Sequence, residues 1–290
     1  MATRSMQASR SEESGKQREF QFTDRDFKHI RDFIYEHTGI VLSDAKRDMV
    51  YSRLARRLRK LGLASFTDYL DFVSAHEDQE LGQFVNALTT NLTAFFRESH
   101  HFAHLANDLV ASWAADPEKQ RIRIWSAGCS TGEEPYSIAM TLLDALPDDR
   151  SWDVRILATD LDSDVVARAE TGIYAENRID GLDKDLVSRW FMKGKGQQAG
   201  MVRVRPELQE IISFRQLNLL HEWPFKGPLD VIFCRNVVIY FDKQTQKKLF
   251  NRYADLMPDD GALFIGHSET LFRVSERFRS LGNTIYRKTS

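Results

Sequence analysis

The chain has 290 residues, with 40 Lys+Arg against 42 Asp+Glu and a formal net charge of -2. That balance excludes a surface coated in positive charge for bulk nucleic-acid binding, and it excludes a long acidic tail. Two cysteines, Cys129 and Cys234, are too few for a disulfide scaffold and are expected as free thiols, and no apolar run approaches the roughly 18 residues of a membrane span.

Residues 1–18 lack the apolar region of a signal peptide and read as a flexible polar tail, so a cytoplasmic location is expected. Residues 19–88 carry helical periodicity. Phe27, Ile30 and Ile34 recur at helical spacing, as do Val50, Leu54, Leu58 and Leu61, then Tyr69 and Phe72, then Leu81, Phe84, Val85 and Leu88. Ser65 is placed to cap the third of about four helices. From residue 118 strands alternate with helices. Ile122 to Trp125, Val154 to Thr159, Val231 to Cys234 and Ala262 to Ile265 read as strands of a parallel α/β sheet. The glycine-bearing stretch of about 191–217 breaks the alternation and reads as an inserted antiparallel β-subdomain.

The loop Ser126 to Gly132 follows a strand and opens a helix, the arrangement that presents free backbone N–H groups to a ligand. Asp160 ends the next strand, where doubly wound folds place a carboxylate for ribose hydroxyls. The loop lacks a complete G-x-G-x-x-G, so a dinucleotide, S-adenosylmethionine and another nucleoside all remain open. Glu133 and Glu134 beside it would repel a pyrophosphate and suit an amino group, which favours S-adenosylmethionine. His100 and His104 are one helical turn apart, but no H-E-x-x-H signature exists and no metal is expected. His267, after the late strand, is expected to be structural.

Four segments carry a family resemblance. They are Asn91 to Glu98 (NLTAFFRE), Ser130 to Ser137 (STGEEPYS), Phe233 to Phe241 (FCRNVVIYF) and Gly266 to Glu269 (GHSE). Together, in this order over residues 20 to 287, they resemble the CheR family. The resemblance implies a Rossmann-like class I methyltransferase sheet at 89–290, with the inserted β-subdomain and a small all-α domain at 19–88. It implies methyl transfer from S-adenosylmethionine to glutamates of chemotaxis receptors, giving methyl esters and S-adenosylhomocysteine. By motif, Asn91, Thr93 and Arg97 would lie over the cofactor, and Glu134 and Asp160 would be its acidic contacts. Asn218 and Leu219 would lie near adenine, and Arg235 and Asn236 would end the fourth strand. Tyr240 becomes a candidate lining the methyl-transfer channel, and Arg97 a fork that orients a carboxylate. The partner implied is the cytoplasmic domain of the receptor, with a monomeric enzyme, no nucleic acid and no membrane insertion. In similar enzymes the β-subdomain contacts the receptor, in some by β-augmentation with a tethering peptide.

Between Lys46 and Lys60 seven cations stand against Asp48 alone, a local charge of +6. On a helix whose Val50, Leu54, Leu58 and Leu61 face inward, Arg53, Arg56 and Lys60 share a flank, with Arg57 beside them. These four are the expected contacts for an acidic, helical receptor segment. A methyltransferase acting on nucleic acid or a small molecule, and a non-catalytic cofactor sensor, are the rival readings.

Overall fold

The computed structural model describes residues 18–289, so residues 1–17 of the expected tail lie outside it. The N-terminal helices begin and end where local chemistry dictates. Thr23 and Asp26 form a reciprocal cap at the start of α1 (Asp24–Thr38). Gly39 closes that helix at a φ of 72°. Helix α2 (Arg47–Leu61) stops at Gly62 in the same left-handed conformation. The Ser65 hydroxyl accepts from the Asp68 N–H to cap α3 (Phe66–Ala75) as expected, and α4 (Glu77–Leu88) completes the bundle. Ile30, Ile34, Val50, Leu54, Leu58, Tyr69 and Phe84 form its fully buried centre.

A linker leads to α5 (His100–His104), which continues through a wider π-helical turn, Leu105–Val110, into α6 (Ala111–Ala115). The large sheet has seven strands. They are β1 (Arg121–Ala127), β2 (Asp153–Asp160), β6 (Ile212–Gln216), β7 (Val231–Cys234), β8 (Ala262–Ile265), β9 (Phe278–Gly282) and β10 (Ile285–Lys288). Their spatial order is β6-β2-β1-β7-β8-β10-β9, parallel except where β10 runs against β8 and β9. Period-two alternation builds both faces. Ile122, Ile124, Val231, Phe233, Ala262 and Phe264 enter one buried layer. Trp125, Ala127, Ile232, Cys234, Leu263 and Ile265 enter the other, against α11 (Lys243–Leu256). The first layer is covered by α7 (Glu133–Ala145). Helix α8 (Ser163–Thr171) leads into the small antiparallel sheet.

That small sheet corrects the expected insertion at both ends. It comprises β3 (Ile173–Ala175), β5 (Met201–Val204) and β4 (Phe191–Lys193), in that order. It therefore begins before residue 191. Ile212–Gln216, expected in the insertion, pairs instead with β2 in parallel, with Ile156 opposite Ile212. The sequence there supplies a strand but not its partner; the short α10 (Pro206–Glu210) turns the chain back to the large sheet. Between β3 and β4 lies α9 (Lys184–Trp190).

The basic helix is also corrected. Arg57 is largely buried and holds the buried Glu80 carboxylate with contacts of 2.5–2.9 Å, while Tyr69 donates to the same group at 2.9 Å. Arg53 donates to the carbonyls of Ala87 and Thr89 at the end of α4. Arg47 pairs with Asp24 and Arg59 with Glu19, both at 2.8 Å. Acids distant in sequence thus neutralise much of the +6. Arg56 and Lys60 are exposed and have no acidic partner among the described residues.

Candidate active site

In a parallel sheet, ligands bind beyond the carboxyl ends of the strands where the winding reverses. Here the reversal falls between β1 and β7, and a cavity of about 590 Å³ opens there. Its floor is the loop after β1. Gly128 (φ 102°), Ser130 (φ 48°) and Gly132 (φ 96°) take left-handed backbone there. A β-carbon on Gly132 would come within 2.8 Å of Ala169 and of the Tyr174 hydroxyl, so the loop can pack only as glycine. The Ser130 N–H donates to Asp160 Oδ2 at 2.8 Å, and the Asp162 N–H donates to Oδ1 at 3.0 Å. Burial pushes the Asp160 carboxyl up to about 6, against those two backbone donors.

Glu134 and Glu133 separate in role. Glu134 faces the cavity, accepting from the Ser126 hydroxyl at 2.7 Å and from Arg235 at 3.1 Å. Burial raises its pKa, and Arg235 opposes that rise. Glu133 is buried and pairs with Arg178, so it locks the helix start and does not face a ligand.

All the cofactor residues expected from the motifs line this one cavity: Asn91, Thr93, Arg97, Glu134, Asp160, Asn218, Leu219, Arg235 and Asn236, together with Tyr240. Asn91 caps no helix. It donates to Asp162 Oδ2 at 2.8 Å, and its carbonyl accepts from the Ser130 hydroxyl at 3.1 Å. The linker is thereby tied to the glycine loop. The Thr93 carbonyl accepts from Arg178. Arg97 has no acidic partner among the described residues; its guanidinium donates to the Leu92 carbonyl at 2.9 Å. Asn218 donates to the His37 carbonyl at 3.0 Å, joining the two domains. Arg235 is almost fully buried between Glu134 and Glu98 and donates to the Arg97 carbonyl.

The helical domain closes this cavity, a contact that no local sequence pattern signals. Thr38, Ile40, Val41, Leu42, Ser43, Lys46 and Met49 form one wall. The Val41 N–H donates to the Tyr240 carbonyl at 2.8 Å, and Tyr35 donates to Asp242 at 2.9 Å. Such long-range contacts leave no local pattern. Glu98, which ends the NLTAFFRE motif, lies beside Arg235 behind the cavity wall. Burial works against its ionisation, yet the hydrogen bond from His267 at 3.0 Å and the Arg235 charge hold its pKa below the ordinary value. His267 is thus a surface partner of Glu98. His101 is buried against the Asn283 carbonyl at 3.0 Å, and burial with the nearby Arg235 lowers its pKa to about 4. Its ligand atoms lie near those of Glu98 and His100, all within 4.8 Å, whereas His104 turns to Asp108 at 2.9 Å. Cys129 and Cys234 are buried free thiols with pKa raised by burial.

A sheet wound in this order, with an acid after a glycine loop and a carboxylate ending the second strand, fits a class I S-adenosylmethionine-dependent methyltransferase, the class to which the family match assigns it. Residues 91–287 match the CheR methyltransferase, SAM binding domain, and residues 25–89 match the CheR methyltransferase, all-alpha domain. The chain belongs to the CheR methyltransferase family. It is 48% identical over 277 residues to chemotaxis protein methyltransferase 2 of Pseudomonas aeruginosa, spanning 92% of this chain and 94% of that one. It is 46% identical over 267 residues to the chemotaxis protein methyltransferase of Escherichia coli, spanning 91% of each. No helix among the described residues is long and apolar enough to cross a membrane.

Proposed function

We propose that this protein transfers a methyl group from S-adenosylmethionine to glutamate side chains in the cytoplasmic domain of chemotaxis receptors, forming glutamyl methyl esters and S-adenosylhomocysteine. The family and the relatives' names support a chemotaxis methyltransferase. The observation that carries the choice of acceptor is the chemistry of the cavity wall. Among the described residues it presents no histidine or cysteine, and its acids are all engaged. Glu134 is held by Ser126 and Arg235, Asp160 by backbone N–H groups, and Asp242 by the cap of α11 and by Tyr35. Lys46 and Arg97 are the cations facing the cavity alongside Arg235. A wall with cations and no available base suits a nucleophile that is already anionic at neutral pH, as a carboxylate is.

The cofactor fits the same donor set. Asp160 is placed to accept ribose hydroxyls, Glu134 to meet the amino group, and Leu161, Leu219 and Val237 to cover an apolar base. When bound, S-adenosylmethionine supplies an electrophilic methyl on a sulfonium. Arg97 would then hold a carboxylate through its guanidinium fork, and Tyr240 would offer an aromatic face to the cation. The helical domain's residues wall one side of the cavity, and with no base required, alignment of the carboxylate with the methyl group would supply most of the rate gain.

The test uses labelled S-adenosylmethionine with receptor-bearing membranes, followed by base. Release of labelled methanol is expected, because esters hydrolyse; label that resists base would overturn the reading. Arg56 and Lys60 are the remaining candidates for the acidic partner, since Arg53 and Arg57 are engaged within the fold. Reversing both to Glu is expected to raise the receptor KM roughly 10-fold, from about 0.7 kcal/mol per rim charge, while the cofactor Kd stays unchanged. Unaltered receptor kinetics would exclude this face.

A further inference from the structure

The Gly-His-Ser-Glu segment has no part in the cavity wall, yet its Glu269 is buried beneath it. Four backbone N–H groups converge on that one carboxylate. Gly266 and Asn236 donate to Oε2 at 2.5 and 2.9 Å, and Val237 and Ile239 donate to Oε1 at 2.9 and 3.3 Å. A carboxylate offers about four acceptor positions, and here all are used. Three of the donors belong to the turn after β7, which places Arg235, Asn236 and Tyr240 on the cavity. Asn236 itself sits at a φ of 58°, in the left-handed region that asparagine adopts more readily than most L-residues. The same turn is gripped from its carbonyl side. The buried Gln246 amide donates to the Val238 and Phe241 carbonyls at 2.8 and 3.0 Å. Gly266 is required for the close approach, because a β-carbon there would overlap the Asn236 side chain and lie 2.8 Å from its N–H nitrogen.

We infer that Glu269 is a positioning residue for methyl transfer: an internal anion that fixes the 236–240 turn, and through it the Asn236 and Tyr240 side chains, against the reacting end of the cofactor. This rests on the proposed reaction. The turn is not the cofactor's main anchor on this reading, since Asp160 at the end of β2 and Glu134 at the start of α7 would meet the ribose and amino ends. Loosening the turn should therefore disturb alignment more than binding. Glu269→Gln keeps the shape but turns an amide N–H₂ toward two of the four backbone donors, so those bonds are lost. Gly266→Ala displaces the same turn while leaving the carboxylate intact.

The experiment measures kcat, receptor KM, cofactor Kd by calorimetry and thermal unfolding for the wild type, Glu269→Gln, Gly266→Ala and Tyr253→Phe. The last removes a buried hydroxyl bonded to Cys234 Sγ at 3.2 Å, away from the cavity, and serves as the control for lost stability. Both turn variants are expected to lose at least 10-fold in kcat at a temperature where each is folded, with cofactor Kd within about 3-fold of wild type. Wild-type kcat in Glu269→Gln, or a loss no larger than that of Tyr253→Phe at matched stability, would overturn the role. Absence of base-labile methylation in the wild type would instead count against the proposed reaction.

Discussion

Arg97→Ala is expected to lower kcat/KM by about 100-fold while leaving the unfolding temperature nearly unchanged. Two observations set the sign and size. The guanidinium faces the cavity and bonds within the protein to the Leu92 carbonyl, so most of its five donors are available to a carboxylate. A charge-assisted hydrogen bond contributes about 1.5–3 kcal/mol, and losing a two-pronged contact corresponds to roughly two orders of magnitude in rate. Stability should hold because no buried acid is left uncompensated, in contrast to removal of Arg57 from Glu80. Arg97→Lys keeps the charge but not the fork, and is expected to recover only part of the rate. Initial rates with labelled cofactor check this; a rate within twofold of wild type would remove Arg97 from the site.

Asp160→Asn is expected to weaken cofactor binding by about 100-fold, and the wild type should show the matching pH dependence. The carboxylate must be ionised to accept two hydroxyl protons at full strength. Its pKa is pushed up to about 6 by burial, so cofactor affinity should fall as pH is lowered through about 6. The linkage to stability runs the other way. Folding raises this acid's pKa above its ordinary value, so Asp160 favours the fold most when protonated. That contribution fades as pH rises from about 4 to about 6 and is absent above. Affinity and stability should therefore move in opposite directions across this window, which separates a binding defect from acid unfolding. In Asp160→Asn the step near pH 6 should be missing. Calorimetric Kd values from pH 5 to 8 check it, and a wild-type affinity flat across that range would exclude Asp160 as an ionised contact.

Much of the architecture was legible because it is encoded locally. The apolar run Val231–Cys234 and the largely apolar Ile122–Trp125 specify buried strands, and Ser65 specifies where a helix starts while Gly39 and Gly62 specify where two helices stop. The glycine loop, Glu134 and Asp160 fall within one strand–loop–helix–strand stretch, so their proximity follows from chain geometry. The strand Ile212–Gln216 reads as part of the insertion yet joins the large sheet beside β2, because strand propensity carries no information about which edge is free.

The opening charge balance shows the same division. The composition alone determined the near-neutral total of 40 cations against 42 anions, and the four ordered motifs alone determined the family. Only the tertiary structure decided which charges are available to a partner. It brought Glu80 against Arg57, Asp24 against Arg47 and Glu19 against Arg59, and left Arg56 and Lys60 exposed. It also decided that residues 38–49 of the helical domain wall the cavity, and that Glu269 lies under the 236–240 turn. The physical reason is range. Periodicity, capping and turn chemistry act over a few residues and are written in the sequence, whereas ion pairing and buried hydrogen bonding act between groups that only the fold brings within 3 Å.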